Sequence, residues 1–491
     1  MVIVFLLVGL VALTVFAGLH HYLWRRLVRD TTTGPGPARR AGTALFVAGP
    51  VLMAGAVAAE RGGAPFWLQR TLAWPGFLWM ALALYLLLAV VAGEAVRPLV
   101  ARLVRRRTAG GPAESPVAVG AAPGPAAASR PATEPVAPAV PGESGAGAPV
   151  TASAGSGAPT RPAADTGTGT STDTGTSTDT GTSTDTGTDT GTDTDTGTDT
   201  STNPDGNAGR DGGLAAGPSR RLFVARAVGG AAAAVAVGTV GYGTYGVLRG
   251  PRVKRVTVPL ARLPRSAHGF RIAVVSDIHL GPVLGRDFCR RVVDTVNSTQ
   301  PDLIAVVGDL VDGSVKDLGP AAAPLAGLRA RHGSYFVTGN HEYYSGAAQW
   351  VAEVRELGLR PLENARTELA GFDLAGVNDV AGESEGQGPD FGRALGGRDT
   401  SRAVVLLAHQ PVQIHDAVRH GVDLQLSGHT HGGQLWPGNY VAELANPTVA
   451  GLERYGDTQL YVSRGAGAWG PPTRVGAPSD ITVVELASRQ A

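Results

Sequence analysis

Long apolar stretches without charged residues recur through the N-terminal half of the chain. Residues 2–24, 41–59 and 71–93 contain no Lys, Arg, Asp or Glu, and a fourth uncharged stretch, 227–248, is richer in Ala and Gly. A helix needs about 20 apolar residues to cross the core of a bilayer. The pattern therefore predicts a membrane region at 1–107 with three transmembrane helices, and a fourth transmembrane helix at 227–248.

Shorter apolar runs in the C-terminal half follow a different pattern. Five runs of strand-like length each lead directly into a polar residue, with helix-like segments such as Arg286–Ser298 between them. The runs are 270–276, 303–307, 334–338, 403–408 and 424–427. This alternation predicts an α/β domain at 253–491. Because ligands gather beyond the carboxyl ends of strands in such sheets, we expect the polar residues to line one edge.

Between these two regions lies a segment of low sequence complexity, 108–219. It begins rich in Pro and Ala and continues as repeats of Ser-Thr-Asp-Thr-Gly-Thr. From Glu134 to Asn207 there is no Leu, Ile or aromatic residue whose burial could offset the chain entropy lost on folding. We therefore expect a disordered linker between the third and fourth membrane spans.

The arginines predict how the chain crosses the membrane. Clusters of Arg follow the first span, at 25–40, and the third span, at 97–107, whereas only Arg61 and Arg70 separate the second span from the third. Cytoplasmic loops carry the excess of basic residues, so the N-terminus is expected outside the cell and the linker inside. The fourth span then delivers the C-terminal domain to the extracytoplasmic face.

A twin-arginine-like motif supports the same topology. Arg220 and Arg221 stand in the sequence Ser-Arg-Arg-Leu-Phe-Val, immediately before the weakly apolar fourth span. Such motifs are addresses for export, so the twin-arginine translocase is an expected partner. Residues 220–250 are assigned to this motif and the fourth helix. The basic residues within 249–255, after the span, argue mildly for the opposite orientation.

The polar residues at the strand ends are of types that bind metal ions. They comprise two carboxylates, one amide and five imidazoles: Asp277, His279, Asp309, Asn340, His341, His409, His429 and His431. Nitrogen and oxygen ligands without a thiolate suit Mn, Fe or Zn. The set is too large for one ion, and two ions about 3.5–4 Å apart need a bridging group such as an aspartate. The sequence thus predicts a site for two divalent metal ions.

Each motif alone also has an ordinary structural explanation. Asp277-Ile-His279 could be a capped turn and Gly339-Asn-His-Glu342 a hydrogen-bonded turn. Gly428-His-Thr-His431 is more specific, because alternate residues of an extended segment point the same way. Metal binding is preferred because all five motifs occur in order, each at a strand end. The single cysteine, Cys289, lies far from them and is expected at a packed or half-exposed helix position.

The same ordered set resembles the motifs of the calcineurin-like metallophosphoesterases. Residues 336–344, 409–411 and 426–437 further resemble the membrane-linked bacterial branch of that family and its animal transmembrane members. The resemblance covers Val253 to Leu486, nearly half of the chain. It implies a four-layer α/β/β/α sandwich that holds a dinuclear metal centre.

The resemblance also implies a role for each site residue. The ligands of one ion would be Asp277, His279, Asp309 and His431, and those of the other Asp309, Asn340, His409 and His429, with Asp309 as the bridge. His341 would not bind metal; it would stabilise the transferring phosphoryl group or protonate the leaving oxygen. Glu342 stands where the family often has Asp. Asp312 either supports the ligands or belongs to a strand-end turn.

These features predict hydrolysis of a phosphate ester by a metal-activated water. The domain from Val253 onward has a slightly negative net charge and no basic run near the motifs, which disfavours nucleic acid as the substrate. Tethering at the bilayer instead favours a lipid-linked or cell-envelope phosphodiester. Two alternatives stay open at this point: a non-catalytic membrane sensor that binds a phosphorylated envelope ligand, and a phosphomonoesterase.

Overall fold

The computed structural model describes residues 2–109 and 219–490. Nearly all of the predicted linker at 108–219 therefore lies outside the described residues. The N-terminal part consists of three helices, α1 (Val2–Trp24), α2 (Pro37–Arg61) and α3 (Phe66–Ala109). A fourth long helix, α4 (Arg220–Leu248), leads into the C-terminal domain.

All four helices are long and apolar enough to cross a membrane. Each contains one of the predicted spans, but α2, α3 and α4 extend beyond the uncharged part. The difference is largest for α3, which is 44 residues long. Its last part, 94–109, is rich in Ala, Leu and Arg, which favour helix regardless of charge. The uncharged stretch 71–93 therefore locates the apolar centre of α3 but does not predict where the helix begins or ends.

Two six-stranded sheets form the C-terminal domain, in the orders β1-β12-β2-β3-β4-β5 and β10-β11-β9-β8-β7-β6. The strands of the first sheet are β1 (Arg252–Leu260), β2 (Phe270–Val275), β3 (Leu303–Val307), β4 (Ser334–Val337), β5 (Arg360–Pro361) and β12 (Asp480–Ser488). Those of the second are β6 (Ala365–Glu368), β7 (Phe372–Gly376), β8 (Ala403–Leu407), β9 (Leu424–Ser427), β10 (Gly451–Tyr455) and β11 (Thr458–Val462). The central strands of both sheets are parallel: β2 to β5 in the first, and β7, β8, β9 and β11 in the second.

The two sheets pack face to face through an apolar layer, and helices cover their outer faces. Ile272 and Val274 of the first sheet share one buried cluster with Leu374 and Val405 of the second. The covering helices are α5 (Arg286–Ser298), α6 (Val315–Ala322), α7 (Asn340–Ser345), α8 (Ala347–Glu356), α9 (Phe391–Leu395) and α10 (Ile414–Arg419), with α11 (Gly438–Ala445) beside the second sheet. The predicted four-layer α/β/β/α sandwich is confirmed. Cys289 is fully buried in α5.

Loops beyond the strand ends contact the membrane helices. Val283, shortly after β2, packs on a cluster of residues from α2 and α3 that includes Phe77. The hydroxyl of Tyr85 in α3 donates to the carbonyl of Trp436 at 2.9 Å, and Thr244 of α4 is hydrogen-bonded to Thr473 at 2.7 Å. The edge of the sheets at which the parallel strands end therefore faces α2, α3 and α4.

Candidate metal centre

Five residues that follow strands β2, β3 and β9 at this edge have an unusual, left-handed backbone conformation. Asp277, His279, Asp309, His429 and His431 all have φ between 49° and 71°. Outside glycine this left-handed conformation costs about 1–3 kcal/mol at each position and persists where the surrounding structure fixes it. Such strain is concentrated at functional sites. Here it occurs at five of the eight predicted site residues.

The first group of side chains comprises Asp277, His279 and His431, whose candidate ligand atoms lie within 4.8 Å of one another. Nε2 of His279 is 2.9 Å from Nε2 of His431, and Nε2 of His431 is 3.4 Å from Oδ1 of Asp277. The three side chains come from sequence positions up to 154 apart and are almost completely buried. They form one face of the site.

The second group comprises Asp309, His409 and His429, again within 4.8 Å. Nε2 of His409 lies 3.2 Å from Oδ2 of Asp309, and Nδ1 of His429 lies 2.9 Å from Oδ1 of Asn340. Asp309 Oδ2 is also 3.7 Å from Nε2 of His279, a member of the first group. Asp309 therefore lies between the two groups.

The donor set fits divalent metal ions. Nδ1 of His409 contacts the carbonyl of Val307 at 2.9 Å, and a carbonyl only accepts, so this nitrogen carries the proton. In the neutral ring Nε2 of His409 then carries the lone pair; it faces Oδ2 of Asp309 and, among the described residues, is buried without a hydrogen-bond partner. Nδ1 of His279 likewise faces an acceptor, Asp312 Oδ1, at 2.9 Å, and its Nε2 is directed at Nε2 of His431. Lone pairs fixed in this manner are typical of imidazoles that bind metal.

A buried carboxylate and close-packed glycines shape the loops that carry these ligands. Glu342 accepts hydrogen bonds from the backbone N–H groups of Asp309, Leu310 and Gly339, at 3.0, 2.7 and 2.6 Å. A Cβ on Gly339 would overlap the Asp309 carboxylate. Glu342 thus supports the loop of Asp309 from behind. Burial, followed by the charge of Asp309, raises the pKa of Glu342 to about 7.

Asp312 joins the first group to His341. One oxygen of its carboxylate lies 2.9 Å from Nδ1 of His279 and 2.7 Å from Nδ1 of His341. Burial opposes ionisation of Asp312, but its electrostatic interactions and hydrogen bonds with the two imidazoles, His279 and His341, outweigh it and hold its pKa at about 2. Burial likewise works to lower the pKa of His341, yet its bond to Asp312 and nearby carboxylates raise it to about 9. The two residues form an ion pair beside the ligand groups.

The structure thus brings all eight predicted site residues together, and it adds a ninth that the motifs did not contain. Arg474 is 6% exposed and lies 3.0 Å from Nδ1 of His431. Its guanidinium donates to the carbonyls of His431, Gly467 and Ala477. The sequence hinted at Arg474 only by its place in a Gly- and Pro-rich loop, shortly after Trp469-Gly-Pro-Pro472. Burial lowers its pKa to about 10, so it stays charged at neutral pH.

Exposed apolar side chains lie next to the site. The ring of His341 contacts those of Tyr344 and Trp469, with centroids 5.4 and 5.6 Å away. Tyr344, Trp436 and Trp469 are 74, 50 and 47% exposed. The short helix α11 follows Trp436 and has no buried residue, although it carries Tyr440, Val441 and Leu444, the last of which is 88% exposed.

A membrane helix also contributes a charge to the site. The carboxylate of Glu60, at the end of α2, interacts electrostatically with Asp312, His341 and His279. The sequence did not suggest this residue, because it lies at the margin of a predicted span and belongs to no motif. Together with the packing of Val283 on residues of α2 and α3, this interaction places the ends of these helices on the side of the domain that carries the ligand groups.

Comparison with known proteins agrees with this geometry. The model of the calcineurin-like phosphoesterase family matches residues 270–433. The transmembrane protein with metallophosphoesterase domain of Danio rerio is 39% identical over 259 residues, which cover 50% of this chain and 59% of that protein. A Helicobacter pylori metallophosphoesterase is 38% identical over 247 residues, covering 50% of this chain and 66% of the relative. The chain thus spans less than two thirds of the length of both relatives.

A shorter relative is matched almost over its whole length. The metallophosphoesterase of Aquifex aeolicus is 36% identical over 240 residues, which cover 48% of this chain and 91% of that protein. The similarity therefore extends over nearly all of this relative, and the family model covers the region in which the ligand groups converge. The chain belongs to the calcineurin-like metallophosphoesterase family.

Proposed function

We propose that this protein is a metal-dependent phosphodiesterase that hydrolyses a lipid-linked or cell-envelope phosphate ester at the membrane surface. The observation that carries the proposal is the convergence of seven side chains with nitrogen and oxygen donors in two adjoining groups, with Asp309 of the second group 3.7 Å from His279 of the first. One ion would be held by Asp277, His279, Asp309 and His431, and the other by Asp309, Asn340, His409 and His429. When bound, such ions supply an activated water and neutralise charge on the phosphate oxygens.

The remaining residues prepare the site for this chemistry. His341 is protonated through its ion pair with Asp312, so it can donate a proton to the leaving oxygen or a hydrogen bond to the phosphoryl group. Asp312 and Val307 fix the tautomers of His279 and His409, which keeps lone pairs available for metal. Arg474 holds the His431 loop in place.

The exposed apolar rim supports a lipid-linked substrate. This rim consists of exposed aromatic and aliphatic side chains, those of Tyr344, Trp436, Trp469 and helix α11. Trp436 is bound through its carbonyl to Tyr85, which lies within a helix apolar enough to span the membrane. Aromatic residues are enriched at membrane interfaces. A phosphate ester whose lipid part stays in the bilayer could therefore reach the site without leaving the membrane.

Turnover by the purified full-length protein tests the activity. We expect hydrolysis of bis-p-nitrophenyl phosphate that requires Mn, Fe or Zn and is lost in the Asp277→Asn variant. Metal binding without any turnover would instead support the sensor alternative. Hydrolysis of p-nitrophenyl phosphate but not of the diester would identify a phosphomonoesterase.

The proposed topology places the catalytic domain, 253–491, on the extracytoplasmic face, after four transmembrane helices and the linker. A reporter enzyme that is active only outside the cytoplasm, fused after Leu248, is expected to be active. Replacing Arg220 and Arg221 by Lys should abolish that activity if the twin-arginine translocase exports the domain. A cytoplasmic reporter in the unaltered protein would contradict the external placement, whereas an unaffected reporter in the double variant would exclude this translocase.

A further inference from the structure

A groove runs along the C-terminal half of α4, and we call it the α4 groove. It is a cavity of about 640 Å³ between α4 and the segment 474–479. Its α4 side extends from Ala234 to Arg249, which corresponds to about 22 Å at the helical rise of 1.5 Å per residue. One leaflet of a bilayer, with its headgroups, has about the same thickness. The groove therefore has the length of a single lipid molecule.

The two ends of the groove differ in chemistry. Ala234, Val235 and Gly238 form an apolar floor near the middle of α4, whereas Arg249 and Arg252 lie at the other end, where the helix ends. Both arginines are exposed, and within the described residues neither forms an ion pair, although Arg249 lies over the ring of Tyr245 at 5.8 Å. Basic side chains at the end of a membrane helix attract anionic headgroups.

A buried hydroxyl without a partner lies in the wall of the groove. Ser479 is 5% exposed and lines the cavity, and among the described residues its Oγ has no hydrogen-bond partner. A buried polar atom in this situation costs free energy unless something binds to it. Arg474, which lines the same wall, is bound on its other side to His431. The wall thus separates the groove from the metal centre.

The geometry points to a binding site for an anionic phospholipid in the α4 groove. One acyl chain lies along Ala234, Val235 and Gly238, the phosphate contacts Arg249 and Arg252, and Ser479 donates its hydroxyl to an oxygen of the lipid. This site is distinct from the metal centre, since the segment 474–479 lies between them. It does not depend on the proposed phosphoesterase activity.

Native mass spectrometry of the full-length protein in detergent tests this inference, with phosphatidylglycerol and phosphatidylcholine of identical acyl chains as probes. We expect phosphatidylglycerol to bind about tenfold more tightly than phosphatidylcholine, since each basic contact favours the anionic lipid. In the Arg249→Gln/Arg252→Gln variant this preference should disappear. Arg329→Gln removes the same type of exposed charge outside the groove and should leave it unchanged.

A second variant fills the groove without touching its charges. A Cβ at Gly238 would meet no atom within 4 Å, so Gly238→Leu should fold normally while occupying the space of the acyl chain. Gly230 is equally open but does not line the groove, so Gly230→Leu is the matched control. We expect Gly238→Leu to bind either lipid at least about tenfold more weakly, the loss of roughly 1.4 kcal/mol of apolar contact.

Two results would overturn the inference. Equal binding of the two lipids by the unaltered protein would show that the groove does not select an anionic headgroup. Unchanged binding of phosphatidylglycerol by Gly238→Leu would show that the lipid sits elsewhere. A melting temperature of each variant equal to that of the unaltered protein excludes misfolding as the cause of a loss.

Discussion

Asp312 and His341 form an ion pair, with 2.7 Å between a carboxylate oxygen and Nδ1 of the ring. The same carboxylate also faces His279, so a single acidic side chain holds both a proposed ligand and the proposed proton donor. It therefore connects the proposed metal binding to the proposed proton transfer.

The first prediction concerns this ion pair. Asp312→Asn keeps the size of the side chain and an oxygen for His279, but it removes the charge that holds the proton on His341. We expect kcat to fall about 100-fold, in the range typical of general acid catalysis, while the metal content stays the same. Asp317→Asn, at an exposed cap of α6, should leave kcat unchanged. A normal kcat in Asp312→Asn would remove His341 from the proposed proton transfer.

The second prediction concerns Arg474. Replacing it by Met keeps the length of the side chain but leaves the carbonyls of His431, Gly467 and Ala477 without their buried donor. We expect metal affinity to fall about 10- to 100-fold, as for other residues that support ligands, together with a lower melting temperature. Arg454→Met, at an exposed position of β10, serves as the control. Metal affinity equal to that of the unaltered protein would mean that Arg474 does not position His431.

The third prediction concerns the apolar rim. Leu444→Glu places a charge on α11, where Leu444 is 88% exposed. If α11 enters the bilayer, hydrolysis of a phosphodiester embedded in vesicles should fall at least about tenfold, since acidic residues insert poorly. Hydrolysis of soluble bis-p-nitrophenyl phosphate should not change. Glu443→Gln on the same helix is the control, and an equal loss with both substrates would indicate damage to the site itself.

The convergence of the proposed metal ligands could be predicted from the sequence because it depends on local patterns. Apolar runs of strand length ended at Asp277, Asp309 and His429, and parallel strands bring such ends to one edge. The α/β class followed from the same alternation, whereas the four-layer arrangement was implied by the family resemblance alone. The sequence also left a choice for Asp312, between ligand support and a simple turn, and the contacts with His279 and His341 favour support.

Residues that approach the site from distant loops could not be predicted in this way. Arg474 contacts His431 across 43 positions, and Glu60 of α2 interacts electrostatically with Asp312. Neither belongs to a periodic pattern, and their positions depend on how separate elements pack. The ends of α3 were missed for a related reason, because its charged residues still favour helix.

The metal content of the full-length protein tests the central claim most directly. Two metal ions per chain are expected by inductively coupled plasma mass spectrometry after reconstitution with Mn, Fe or Zn. Asp309→Ala should hold fewer than one, because Asp309 lies between the two ligand groups, whereas Asp317→Ala should retain both. One ion or none in the unaltered protein, or two ions in Asp309→Ala, would contradict the shared dinuclear centre.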